Sequence, residues 1–215
     1  MNKNIVLLWD IDGTLISQGG DKDLFHEVAL SFSGKVPMQR PKKAGKTDSR
    51  IATEYIDAYK IDNISLDTFM FELNSVSDLY YSNNSCDIIK GAIVALESTS
   101  RLGLINKLYT GNTASRAINK LNSANIPLEA IDTKNSFFLG DRILRLDGVL
   151  DVKRQHSKND IVVIGDTDFD YELAKSLDCN FWFIGKEVAR ENQIGVSQDF
   201  SNIDLFISKL LCTFK

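Results

Sequence analysis

Three strand-like stretches constrain the fold of this chain more than any other feature. They are "NIVLLWDIDGT", "LINKLYTGN" and "DIVVIGDTDFD", and each runs from apolar residues straight into polar ones. Stretches with apolar residues at helical spacing follow or separate them, as in Leu24, Phe25, Val28, Ala29 and Phe32. Strands that alternate with helices indicate a parallel sheet covered by helices. In such sheets ligands collect outside the carboxyl ends of the strands. Asp10, Asp12, Thr110, Asp166 and Asp170 are therefore expected on one rim. A lone strand-end Asp-Gly is ordinary turn chemistry. Four carboxylates on one rim repel one another and require a cation, a proton or both.

The same reading places helices at 21–33, with Asp21 as a cap, and at 51–59, 66–81, 88–102, 113–125, 171–177 and 205–211. Strands are expected near "NSFFLG" and at "NFWFIG". Nothing between Leu15 and Asp87 reads as a parallel strand, so about 17–85 is expected to be a helical insertion, with a basic loop at Arg40–Arg50. The α/β core then comprises 1–16 and 86–215.

Composition bounds the function classes. Of 215 residues 43% are hydrophobic and 25% charged, with a net charge of −4, which predicts a soluble globular protein without a nucleic-acid partner. No run is long and apolar enough to span a bilayer, and the N-terminus lacks a signal-peptide pattern, so a cytoplasmic protein without a membrane partner is expected. Cys86, Cys179 and Cys212 are widely spaced and read as structural thiols. An all-oxygen cluster without His or Cys favours magnesium over zinc.

"DIDGTL", "LYTGN" and "VVIGDTDFDYELA" resemble, in order, the first, second and fourth motifs of the haloacid dehalogenase superfamily. "AGKTD" and "TGN…KL" are similar to features of its phosphoglycolate-phosphatase-like members. The resemblance implies a Rossmann-like three-layer core with strand order 5-4-1-2-3 and a helical cap inserted after the first strand. It implies a Mg²⁺-dependent phosphatase acting on a small phosphorylated substrate. Asp10 would be the nucleophile that forms an aspartyl-phosphate, and Asp12 the general acid and then base. An Asp at the second position favours phosphoryl transfer over halide displacement.

By the same resemblance, Thr110 would donate to a phosphoryl oxygen, beside the backbone N–H groups of Ile11, Gly111 and Asn112. Mg²⁺ would be held by Asp10, Asp166 and the carbonyl of Asp12, with Asp170 holding a metal-bound water or a neighbouring group. Asp168 reads as a helix-start residue. The superfamily expects a third-motif cation paired with the nucleophile, often in a "KP" that is missing here. Lys120 ranks first for that role and Lys153 second, followed by Arg154, Arg142 and Arg145. Lys46, Thr47, Asp48 and Arg50 of the insertion are candidates for substrate contact. A phosphomutase, a receiver-like signalling domain and an inactive binding protein are the alternatives. The sequence leaves monomer or homodimer undetermined.

Overall fold

The computed structural model describes residues 5–17, 22–156, 161–186 and 190–214. Its centre is a six-stranded sheet. β1 (Val6–Trp9) lies between β2 (Ile105–Thr110) and β4 (Ile161–Gly165), with β3 (Phe137–Phe138) beyond β2. On the other side β5 (Asn180–Ile184) and β6 (Gln193–Ser197) complete the order β3-β2-β1-β4-β5-β6, and every pairing is parallel. Read from β5, this is the expected order 5-4-1-2-3. The sixth strand, added at the outer edge, is the difference.

β1 is apolar throughout because both faces of the sheet are covered. Val6 and Leu8 point into one core with Tyr109, Val163, Phe181 and Leu173, whereas Leu7 and Trp9 join Leu108, Val162, Ile164 and Trp182 on the other face. Trp9 packs at tilted angles on Phe200 and Phe206, and its indole N–H donates to Asn106 Oδ1 at 3.0 Å. The face carrying Trp9 is covered by α4 (Ala92–Arg101) and α8 (Ile203–Thr213). On the opposite face lie α6 (Val149–Gln155) and α7 (Asp168–Leu177).

Between β1 and β2 come α1 (Leu24–Ser33), α2 (Asp48–Tyr59) and α3 (Leu66–Asn83), which pack on one another and on α5 (Ala114–Ser123). Each of the three starts at a side-chain cap: Asp23, Thr47 and Ser65 accept from the amides of His26, Arg50 and Thr68. The cap of α1 is thus Asp23; Asp21 and Lys158 to Asp160 lie outside the described residues. The chain leaves and re-enters the core side by side, with Ile16 bridged to Ile88 and the Ser17 amide donating to Asp87 O at 2.7 Å. Among the described residues no helix is long and apolar enough to cross a membrane.

Candidate active site

The three central strands end at one level. Trp9 is in register with Leu108 on one side and Ile164 on the other, which sets Asp10 level with Tyr109 and Gly165. Carboxylate oxygens of Asp10, Asp166 and Asp170 lie within 4.8 Å of one another. Asp170 stands on the first turn of α7 and closes a capping box with Thr167, whose amide and hydroxyl donate to its Oδ2 at 3.0 and 2.6 Å. Gly165 permits this approach, because a Cβ there would lie 2.3 Å from Asp170 Cβ.

The cation beside Asp10 is Arg145. Its Nη2 donates to Asp10 Oδ1 at 3.0 Å, to Asp170 Oδ1 at 2.9 Å and to the Tyr109 carbonyl at 3.0 Å. It sits in a 3₁₀ turn (Arg145–Gly148) held against β2, where the Tyr109 hydroxyl donates to the Arg145 carbonyl and Gly148 abuts Leu139 and Tyr109. The first-ranked candidate, Lys120, pairs instead with Asp12, at 2.7 and 2.8 Å to its two oxygens. The other candidates stay away from Asp10. Arg142 and Arg154 are exposed and pair with Asp151, and Lys153 is exposed on α6. Spacing could not rank Arg145 above them, because its reach depends on a short turn with little periodicity of its own.

A second polar cluster surrounds Asp12. Asn112 Nδ2 donates to Asp12 Oδ2 and to Thr110 Oγ1, both at 2.8 Å, while Lys120 Nζ donates to Asn112 Oδ1 at 3.0 Å. Burial disfavours charge on Asp12. The Lys120 ammonium and the Asn112 hydrogen bond outweigh it and hold Asp12 below the usual carboxylate range. At Asp10 the balance reverses. Burial raises it well above that range, Arg145 opposes this, and the charges of Asp170, Asp166 and Asp12 add to the rise. Asp166 is pushed up to about 7, first by burial and then by the charge of Asp170.

Asp10, Asp12, Thr110, Gly111, Asn112, Lys120 and Arg145 line one cavity of about 170 Å³. Its other wall comes from the inserted segment, including Lys22, Phe25, Lys43, Lys46, Asp48 and Ile51. Lys46 is held by Glu54 at 2.6 Å. Thr47 lies apart from this lining: it is buried as the α2 cap, and its hydroxyl donates to Ile143 O at 3.2 Å. Arg50 points to Glu54 at 2.9 Å, and Ile11 is wholly buried. Asp168 is exposed and pairs with Arg190. Arg116, which the sequence reading passed over, is buried against Asp48 and lines the cavity too.

The donor set fits a magnesium ion. One guanidinium pairs with Asp10 and Asp170, and Asp166 stands beside them, which leaves excess negative charge among hard oxygen donors without a nitrogen or sulfur ligand. Asp10, Asp166 and Asp170 could together hold such an ion.

No protein-family profile and no curated protein matches the sequence. Solved structures do match. CbbY from Rhodobacter sphaeroides, in complex with phosphate, is 13% identical, with a TM-score of 0.66 over 92% of this chain and 95% of that one. A candidate beta-phosphoglucomutase from Thermotoga maritima is 17% identical, with a TM-score of 0.58 over 96% and 99%. A haloacid dehalogenase-like family hydrolase from Streptococcus pneumoniae is 16% identical, with a TM-score of 0.57 over 96% and 100%. The chain shares the fold of these solved proteins, with Asp10, Thr110 and Asp166 at the ends of adjacent strands.

Proposed function

We propose that the chain is a magnesium-dependent phosphatase that hydrolyses a small phosphomonoester through an aspartyl-phosphate on Asp10. The observation that carries this reading is the convergence of Asp166 and Asp170 on Asp10, which itself lines a cavity whose walls bear lysines and arginines. A bound Mg²⁺ would offset the charge of nucleophile and phosphate, which otherwise repel.

In the first half-reaction an Asp10 oxygen attacks phosphorus, the bond to the leaving oxygen breaks, and that oxygen takes a proton from Asp12. In the second, water gives a proton to Asp12 and attacks phosphorus, and the Asp10–phosphate bond breaks. Asp12 starts ionised in the free site; an entering phosphate dianion raises its proton affinity, so that it takes up a proton from solvent as substrate binds and returns it when phosphate leaves. Thr110 uses its oxygen as acceptor toward Asn112, an arrangement that presents its O–H to a phosphoryl oxygen. The backbone amides of Ile11, Gly111 and Asn112 are further donors in this reading. Arg145 keeps Asp10 oriented, and the inserted helices of 17–85 serve as the cap that excludes water.

Release of p-nitrophenol from p-nitrophenyl phosphate tests the proposal. Activity should need Mg²⁺, disappear with EDTA and fall at least about 10³-fold in Asp10→Asn. Full activity in Asp10→Asn would overturn the assignment. The likeness to a candidate phosphoglucomutase supports a second reading, in which the phosphoryl group returns to a sugar hydroxyl. Transfer to an added sugar phosphate, measured beside phosphate release, separates the two.

A further inference from the structure

One buried ion pair joins the inserted helices to the turn that carries Asn112. Arg116, on α5, touches all three of those helices: it is paired with Asp48 of α2, its Nε donates to Ser77 Oγ of α3 at 3.1 Å, and its guanidinium lies 4.8 Å from the Phe25 ring of α1. Asp48 in turn grips both ends of the turn after β2. Its backbone N–H donates to Gly111 O at 2.8 Å, and its Oδ2 accepts from the Thr113 amide at 2.7 Å. Both side chains are about 95% buried. The contact is backbone to backbone, because a Cβ on Gly111 would lie 2.3 Å from Lys46 O.

Between those two anchored ends lies Asn112, the residue that holds Asp12, Thr110 and Lys120. We infer that Asp48 and Arg116 are positioning residues: docking of the inserted helices through this pair sets Asn112, and through it the carboxylate of Asp12. Resting on the phosphatase reading above, the inference gives the inserted helices a role in proton transfer beyond covering the cavity. A guanidinium is required because one group must meet a carboxylate, a hydroxyl and a ring in fixed directions, which an ammonium does not do.

Removing one partner of a buried pair leaves an uncompensated charge and endangers the fold, whereas replacing both with apolar residues of similar volume is often tolerated. The test therefore uses Arg116→Lys and the double variant Arg116→Met/Asp48→Leu, with two substrates. p-Nitrophenolate leaves without a proton, whereas the alkoxide of glycerol phosphate needs one. If the pair positions Asp12, kcat/KM for glycerol phosphate, which reports the steps up to departure of the alcohol, falls about 10²-fold, in the range of a general acid's contribution, and kcat/KM for p-nitrophenyl phosphate falls less than about 5-fold. For p-nitrophenyl phosphate kcat and KM should fall together, because hydrolysis of the aspartyl-phosphate uses Asp12 as base. Arg116→Lys should lie between wild type and the double variant. Equal losses on both substrates, or no loss, would overturn the inference.

Amide hydrogen exchange supplies a readout that does not need activity. In the double variant the Thr113 amide should exchange at least about 10-fold faster, with β1 amides unchanged. Unchanged exchange at Thr113 also overturns the inference. If the wild-type chain hydrolyses neither ester, the phosphatase reading fails, while the exchange result still decides whether the pair holds the turn.

Discussion

At the scale of single residues, the site is a charge problem solved by Arg145. One guanidinium serves Asp10 and Asp170, both buried, and caps the Tyr109 carbonyl as well. Arg145→Ala leaves two buried carboxylates facing Asp166 without a cation, and breaking such a cluster costs about 3–5 kcal/mol. In a chain of this length that lowers the thermal midpoint by roughly 10 °C. Magnesium should recover part of the loss, which calorimetry with and without the ion would reveal; a midpoint within 2–3 °C of wild type, roughly one kcal/mol, contradicts the assigned role. Asp10→Asn should behave oppositely. It removes one charge from a repelling cluster while keeping an acceptor for Arg145, so without magnesium its midpoint should hold or rise. Asp10 and Asp166 were legible in the sequence because each follows directly on an apolar run. Arg145 was legible only as one of five candidates, since its place depends on how a 3₁₀ turn lies against Tyr109.

At the scale of elements, the legible parts are those with strong periodicity, and the missed parts lack it. β1 and β4 are apolar on both faces and stand out as strands. β6 reads "QIGVS" and is only half-buried along its length, with Gly195 in contact with the Trp182 ring, so no pattern separates it from a loop. α6 buries Val152 alone among its residues and was overlooked for the same reason. α2 begins at Asp48, three residues earlier than expected, because Thr47 caps it and polar residues fill its first turn. For α1, the cap offers a test of electrostatics. Asp23 accepts from the His26 amide, from Tyr55 at 2.7 Å and from Lys43 at 3.1 Å. Burial opposes its charge, but these partners win and hold it below the usual carboxylate range. Asn caps a helix about as well as Asp, so Asp23→Asn removes the charge while keeping the cap. A carboxylate depressed in the folded state adds stability above its unfolded pKa of about 3.9 and loses it as pH falls through the folded value. Urea midpoints should therefore place Asp23→Asn below wild type at pH 6, with the gap closing toward pH 3. A gap that widens in acid would show that the charge is not stabilising. Asp23→Ala should cost about 1 kcal/mol more, from the lost cap.

At the scale of the whole molecule, the cluster links stability, pH and cation binding. Asp166 is raised to about 7, so between about pH 4 and 7 the folded chain binds a proton that the unfolded chain has already released. Without a divalent cation, stability contributed by that proton is full below about pH 4 and is lost as pH rises through 7. Magnesium competes for the same oxygen and needs it deprotonated, so its affinity should rise over the same interval. A ligand that binds only the folded state stabilises by RT ln(1 + [L]/Kd), and the two effects therefore run in opposite directions. In EDTA the thermal midpoint should fall from pH 5 to pH 8; in millimolar magnesium the fall should shrink, with the largest gain at pH 8. Asp166→Asn should flatten the EDTA profile and remove most of the magnesium gain, because it can neither titrate nor supply an anionic ligand. A magnesium gain that is equal at pH 5 and pH 8, or one that survives in Asp166→Asn, would place the ion elsewhere. Because the two arms are read as thermal midpoints, they test the cation site of Asp10, Asp166 and Asp170 before any substrate is known.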